Sequence, residues 1–134
     1  MRTPTARELE ILKVLWAHGP CSVRDVHRRL SRNSALAYNT VQTLLRIMEE
    51  KKGLVRHHVE GRTFIYTPCH SRDAMVANCA ANLLERVFDG AASELVLSLL
   101  RSERISPEEL DRMQAMISEA RRKRSNPSYA EGPS

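Results

Sequence analysis

Apolar positions in the first fifty residues recur at helical spacing in three blocks, and a helix-starting residue precedes the first two. Thr5-Ala6-Arg7-Glu8 has the form of a capping box, in which the Thr hydroxyl and the Glu carboxylate each satisfy a free backbone donor. Leu9, Ile11, Leu12, Leu15 and Trp16 follow at the helical period until Gly19-Pro20 interrupts it, which predicts a helix over residues 6 to 18. Ser22-Val23-Arg24-Asp25 opens a shorter helix with Val23, Val26 and Leu30 on one face, ending near Ser31. Residues 32 to 37 read as a weakly patterned connection. A third helix begins near Tyr38, turns Val41, Leu44, Leu45 and Met48 inward, and runs to about Lys51, with Gly53 as its stop.

The pattern then changes period. Leu54-Val55-Arg56-His57-His58-Val59 and Thr63-Phe64-Ile65-Tyr66-Thr67 are β-prone runs joined by Glu60-Gly61-Arg62, which predicts a hairpin. Three helices followed by a two-stranded hairpin is the order of a winged helix-turn-helix, and Pro68 closes the unit. Beyond it, Ser71-Arg72-Asp73 caps a helix carrying Met75, Val76, Cys79, Leu83, Leu84, Val87 and Phe88, which stops near Gly90. Another starts at Ser93 and carries Leu95, Val96, Leu99 and Leu100. The last starts at Ser106-Pro107-Glu108-Glu109 and continues through Leu110, Met113, Met116 and Ile117.

The predicted fold is therefore mainly α with a small β-hairpin. A winged helix-turn-helix spans residues 1–69, a three-helix region spans 70–124, and the basic end Arg121-Arg122-Lys123-Arg124 leads into a flexible tail over 125–134. The three C-terminal helices total only about 50 residues, too few to form an ample core alone. Their apolar side chains are expected to meet a second copy of the chain through Leu83, Leu84, Val87, Phe88, Leu95, Val96, Leu99, Leu100, Leu110, Met113 and Ile117.

The third helix carries the chemistry. Its outer side, with Tyr38, Asn39, Thr40, Gln42, Thr43 and Arg46, is short, polar and uncharged apart from the arginine. Hydroxyls and amides of this kind reach base edges in the major groove, whereas most amphipathic helices show solvent a face rich in Lys and Glu. Thr offers a hydroxyl and a methyl, Asn pairs with adenine, and Arg pairs with guanine. Arg62 at the hairpin tip suits a phosphate or a minor groove. Arg56 and His57 lie on the first strand, and Lys51 and Lys52 at the helix end are further candidates for the DNA backbone, although a lysine at a helix end also suits plain solvation.

Charge supports that reading. The chain carries +5 overall, but residues 1 to 68 hold 12 Lys and Arg against six Asp and Glu, and the remainder holds nine against ten. A basic first half joined to a near-neutral second half suits a DNA-binding head attached to a protein-binding part. Cys21, Cys69 and Cys79 lack CxxC spacing and leave one unpaired, which argues for a reducing cytoplasm rather than a disulfide scaffold. Cys69, His70 and Cys79 form the one grouping that invites a metal- or redox-responsive regulator as the alternative, but their intervals match no compact zinc pattern, so no metal or other cofactor is expected. A buried thiol is the ordinary explanation of Cys79. No apolar run approaches the ~20 residues of a membrane span, and the N-terminus lacks an apolar signal core. Membrane insertion is not expected. Nor is an enzyme, because a phosphate-cradling Gly loop, a nucleophile elbow and HExxH are all missing from the sequence.

Particular segments also resemble a known family. Leu9-Glu10-Ile11-Leu12-Lys13-Val14-Leu15-Trp16, Ser22-Val23-Arg24-Asp25-Val26-His27, Ala37-Tyr38-Asn39-Thr40-Val41-Gln42-Thr43 and Lys52-Gly53-Leu54-Val55 are similar to the penicillinase and methicillin-resistance repressors, the BlaI/MecI/CopY group. Gly61-Arg62, Tyr66-Thr67-Pro68 and Ser71-Arg72 extend the likeness, which reaches about residue 120. The resemblance implies a cytoplasmic homodimer that binds a palindromic operator and blocks transcription, with β-lactam-resistance-type genes as targets. It places Asn39, Thr40 and Thr43 on bases and Arg62 in the wing. Arg46 stands one place earlier than the arginine common in the family, and Lys52 reads as an added residue. In antibiotic-responsive members a membrane sensor protease leads to cleavage at an Asn-Phe bond in the dimerisation helices; the matching positions here are Ser98-Leu99. Copper-responsive relatives carry paired Cys-x-Cys motifs near the C-terminus, and this chain has none.

Overall fold

The computed structural model describes residues 2–30 and 35–125. The order of elements is α1 (Ala6–His18), β1 (Cys21–Ser22), α2 (Val23–Arg29), α3 (Tyr38–Glu50), β2 (Val55–Glu60), β3 (Thr63–Pro68), α4 (Arg72–Phe88), α5 (Ala92–Arg101) and α6 (Pro107–Ser125). The chain divides into two compact units, residues 1–86 and 87–134. Three regions of the sequence reading lie wholly or partly outside the described residues: Ser31 at the expected end of α2, residues 32–34 of the following connection, and 126–134 of the expected tail.

The capping box forms as its residues require. Thr5 Oγ1 accepts from the Glu8 backbone N–H at 3.2 Å, and Glu8 Oε1 accepts from the Thr5 N–H at 2.8 Å. With its start fixed, α1 buries Ile11, Leu12, Val14 and Leu15. Ser22 caps α2 through Asp25, and the same residue completes a strand that the hydrophobic pattern did not reveal. Cys21 and Ser22 pair with Tyr66 and Ile65 of β3, so the wing is a three-stranded antiparallel sheet in the order β1-β3-β2. Two residues are too short to show an alternation, and Ser22 already reads as a cap.

The core gathers side chains from every element of the first unit: Ile11, Leu12 and Leu15 of α1, Cys21 of β1, Val26 of α2, Val41, Leu45 and Met48 of α3, Leu54 with Val55 of β2, Tyr66 of β3, and Met75 of α4. In β2 and β3 the register sets Val55 against Pro68, His57 against Tyr66 and Glu60 against Thr63, leaving Gly61-Arg62 as the turn. Gly61 takes φ +64°, a conformation that costs an L side chain roughly 1–2 kcal/mol.

The first unit runs on past residue 69 because α4 is fastened to it. Ser71 caps α4 through Ala74, Met75 is buried in the core, Cys79 packs at the core's edge, and the Trp16 indole N–H donates to the His70 carbonyl at 3.0 Å. The second unit is different. Neither α5 nor α6 has a buried residue among those described. Val87, Leu97, Leu99, Leu100, Leu110, Met116 and Ile117 are all exposed, as are Val76 and Leu83 of α4.

Candidate nucleic-acid interface

The polar side of α3 and the hairpin enclose a groove of about 780 Å³. Because Val41, Leu45 and Met48 are committed to the core, Gln42, Thr43 and Arg46 must face outward, one helical turn or less apart. They line the groove together with Tyr38, and Arg62 lines it from the hairpin tip. Asn39 is exposed and Thr40 half-buried on α3, but neither lines the groove. The structure thus brings together five of the seven residues proposed from sequence.

Several groove residues were not singled out in that role. Ser22, Val23 and Arg24 line it from the start of α2, Glu49 and Glu50 from the last turn of α3, and His57, Thr63, Phe64 and Tyr66 from the hairpin. Arg24 sits two residues past the recognisable cap Ser22, and that cap is the signal the sequence offers. The hairpin residues follow from pairing: Val55, His57 and Val59 alternate onto the same face as Pro68, Tyr66 and Phe64. His57 stacks on Phe64 with ring centroids 4.1 Å apart and planes 11° apart, while Arg56 alternates to the other face. Burial, joined by the charges of Glu49 and Glu50, pushes the Tyr66 phenol above its ordinary range, so this hydroxyl stays protonated.

One candidate phosphate contact is corrected. Lys52 Nζ lies 2.7 Å from Glu8 Oε1, with Glu8 almost wholly buried, so this lysine is a partner to the carboxylate that caps α1. Burial works to raise the Glu8 pKa, but the hydrogen bonds from Lys52 and from the Thr5 backbone outweigh it and hold the carboxyl below its usual range. Lys51, by contrast, is exposed.

The remaining proposed residues fall on the C-terminal helices. Leu83, Val87, Leu99, Leu100, Leu110 and Ile117 are exposed, and Leu84, Phe88, Leu95, Val96 and Met113 are half-buried. Leu97 and Met116 join the exposed set. Ser98 and Leu99 lie within α5, both exposed. Cys69, His70 and Cys79 are half-buried, and Cys21 is buried with its thiol pushed up by that burial. Among the described residues no group of three His, Cys, Asp or Glu side chains is arranged to hold a metal ion, and no helix is long and apolar enough to cross a membrane.

The family model described as Penicillinase repressor matches residues 4–119, almost the whole described chain. The chain belongs to the penicillinase repressor family. The family is one of transcriptional repressors and not of enzymes. Its similar members include the penicillinase repressor of Bacillus licheniformis, 34% identical over 84% of this chain and 87% of that one. The transcriptional regulator BlaI of Mycobacterium tuberculosis is 33% identical over 84% of this chain and 80% of that one. Among solved structures, that of the Bacillus licheniformis BlaI monomeric form in complex with the blaP half-operator is 37% identical, with a TM-score of 0.45, and covers 54% of this chain and 87% of that chain.

Proposed function

We propose that this penicillinase repressor family member is a homodimeric, sequence-specific repressor that occupies palindromic operator DNA. The observation that carries the reading is the groove itself, in which the uncharged polar side chains of α3 stand opposite Arg62 of the wing. Tyr38, Asn39, Thr40, Gln42, Thr43 and Arg46 read the major groove, with Gln42, Thr43 and Arg46 at its centre, and Arg62 holds the adjacent backbone or minor groove. Arg24 adds a phosphate contact from α2. The basic balance of the first half supplies the sequence-independent attraction.

Dimerisation rests on the second observation, two helices of leucines and methionines without a buried residue. Such a surface on a soluble chain calls for a partner, and a second copy carries the same surface. Two heads held about one DNA turn apart, ~34–36 Å, then block a promoter sterically. Loosening or cutting the C-terminal helices splits one bivalent ligand into two weak ones and relieves repression with the heads intact. β-Lactam-resistance-type genes and a membrane sensor protease are the targets and partner that family membership favours.

Selection of duplexes from a randomised pool by the full-length chain tests this directly. The expected enrichment is two inverted half-sites at one fixed spacing, bound by a chain that sediments as a dimer. Enrichment of no sequence at all would end the reading.

A further inference from the structure

Glu49 is out of place for a groove that receives a polyanion. A carboxylate beside phosphates lowers affinity by simple repulsion, and Glu49 lines the groove between Arg46 and the wing. Its contacts give it another task. Glu49 Oε2 accepts from the backbone N–H of His57 at 2.9 Å, and His57 Nδ1 lies 2.6 and 2.8 Å from the two carboxylate oxygens. An ionised carboxylate only accepts, so Nδ1 carries its hydrogen toward Glu49. The imidazole is also stacked face to face on Phe64 of the opposite strand.

One side chain of the recognition helix therefore grips both the backbone and the ring of a β2 residue, and that ring leans on β3. Both partners are about three-quarters covered, at 30% and 24% exposure, so the contact is stronger than a solvated surface pair. The third strand, β1, pairs with β3 only at Ile65 and Tyr66, so the outer wing from Val59 to Phe64 is a two-stranded hairpin, which by itself is marginal. We propose that Glu49 and His57 are positioning residues that fix the wing against α3, so that Arg62 and the base-reading side chains meet the same stretch of DNA together. The proposal rests on the DNA-binding reading above and specifies how its two contact surfaces are kept in register.

The sign of one substitution separates positioning from charge. If Glu49 acts only through its charge, Glu49→Ala tightens binding. If it positions the wing, Glu49→Ala weakens binding to the selected duplex by roughly tenfold, the scale of one lost polar contact. The slope of affinity against salt then falls by about one ion, and Arg62→Ala costs little more in that background although it costs the full amount in the wild type. Glu50 lines the same groove and has no side-chain partner among the described residues, so Glu50→Ala is expected to bind equally well or better.

Affinity of the full chain for the selected duplex and for a scrambled one, at several salt concentrations, supplies all these values. Glu49→Ala binding as tightly as wild type, with an undiminished Arg62→Ala cost, overturns the proposal. If Glu49→Ala melts before binding can be measured, His57→Phe keeps the stack on Phe64 and removes the ring's grip on the carboxylate; wild-type affinity there overturns it equally. A wild-type chain that binds both duplexes alike instead rejects DNA reading as such, an outcome distinct from either.

Discussion

Thr43 and Arg62 line one groove from opposite sides, yet they offer DNA different chemistry. A threonine hydroxyl and methyl discriminate between base edges, whereas a guanidinium at a hairpin tip mainly meets charge. Thr43→Ala is therefore expected to weaken binding to the operator by about 1–3 kcal/mol while leaving scrambled DNA almost unaffected. Arg62→Ala should weaken both, which a titration of the two duplexes checks side by side. Glu8 gives a second expectation. Its folded-state pKa lies below the ordinary value, so its stabilising contribution is complete above the pKa of an unfolded glutamate and drains away as pH falls through the lower folded value. Glu8→Gln should flatten the acid side of melting temperature plotted against pH and cost about 1–3 kcal/mol at neutrality. An unchanged acid limb would contradict the pairing with Lys52. That pairing was not legible in the sequence, because 44 residues separate the partners and the capping box already accounted for Glu8. Glu49 and His57, only eight residues apart, were hidden because their contact depends on how the sheet lies against α3.

At the scale of elements, local rules carried most of the boundaries. Thr5, Ser22, Ser71 and Ser106 each cap the helix that follows, as their sequence context predicts. α3 lacks a side-chain cap at Ala37, so its start was legible only from the apolar spacing of Val41, Leu45 and Met48. The hairpin was legible from its two β-prone runs and Gly61, but β1 was not, because a two-residue strand exists only by pairing with β3. The role of α4 was the least local. Leu83, Leu84, Val87 and Phe88 read as surface for a partner, and nothing in the pattern sets Met75 apart for the head, yet it is 1% exposed within the head's core. Met75→Ala is therefore expected to destabilise the head by about 2–5 kcal/mol, the usual cost of emptying a filled core site. Thermal unfolding followed by circular dichroism measures it, and Val76→Ala on the exposed side should change little by comparison.

For the whole molecule, the decisive contrast lies between a unit with a buried core and one in which no described residue is buried. The helices and sheet of the head share one buried cluster, whereas α5 and α6 display leucines that water tolerates poorly. Leu97→Glu with Leu100→Glu is expected to give a monomer by sedimentation, with the circular dichroism of the head preserved and operator affinity reduced by about 10²-fold or more through lost bivalency. A double variant that remains dimeric would move the interface away from α5. The sequence showed that these faces need covering, since so many apolar residues on so few turns cannot bury one another. It did not show which of them α4 would keep for the head.

The chain has a single tryptophan, and it happens to be Trp16, the residue whose indole holds the His70 carbonyl two residues ahead of α4. Nature has thus placed an optical reporter on the seam where the winged segment hands over to the tail. Its emission should redden when α4 peels away and stay constant when events are confined to α5 or α6. Intrinsic fluorescence can accordingly tell, without any label, whether an inducing signal stops at the tail or travels into the head.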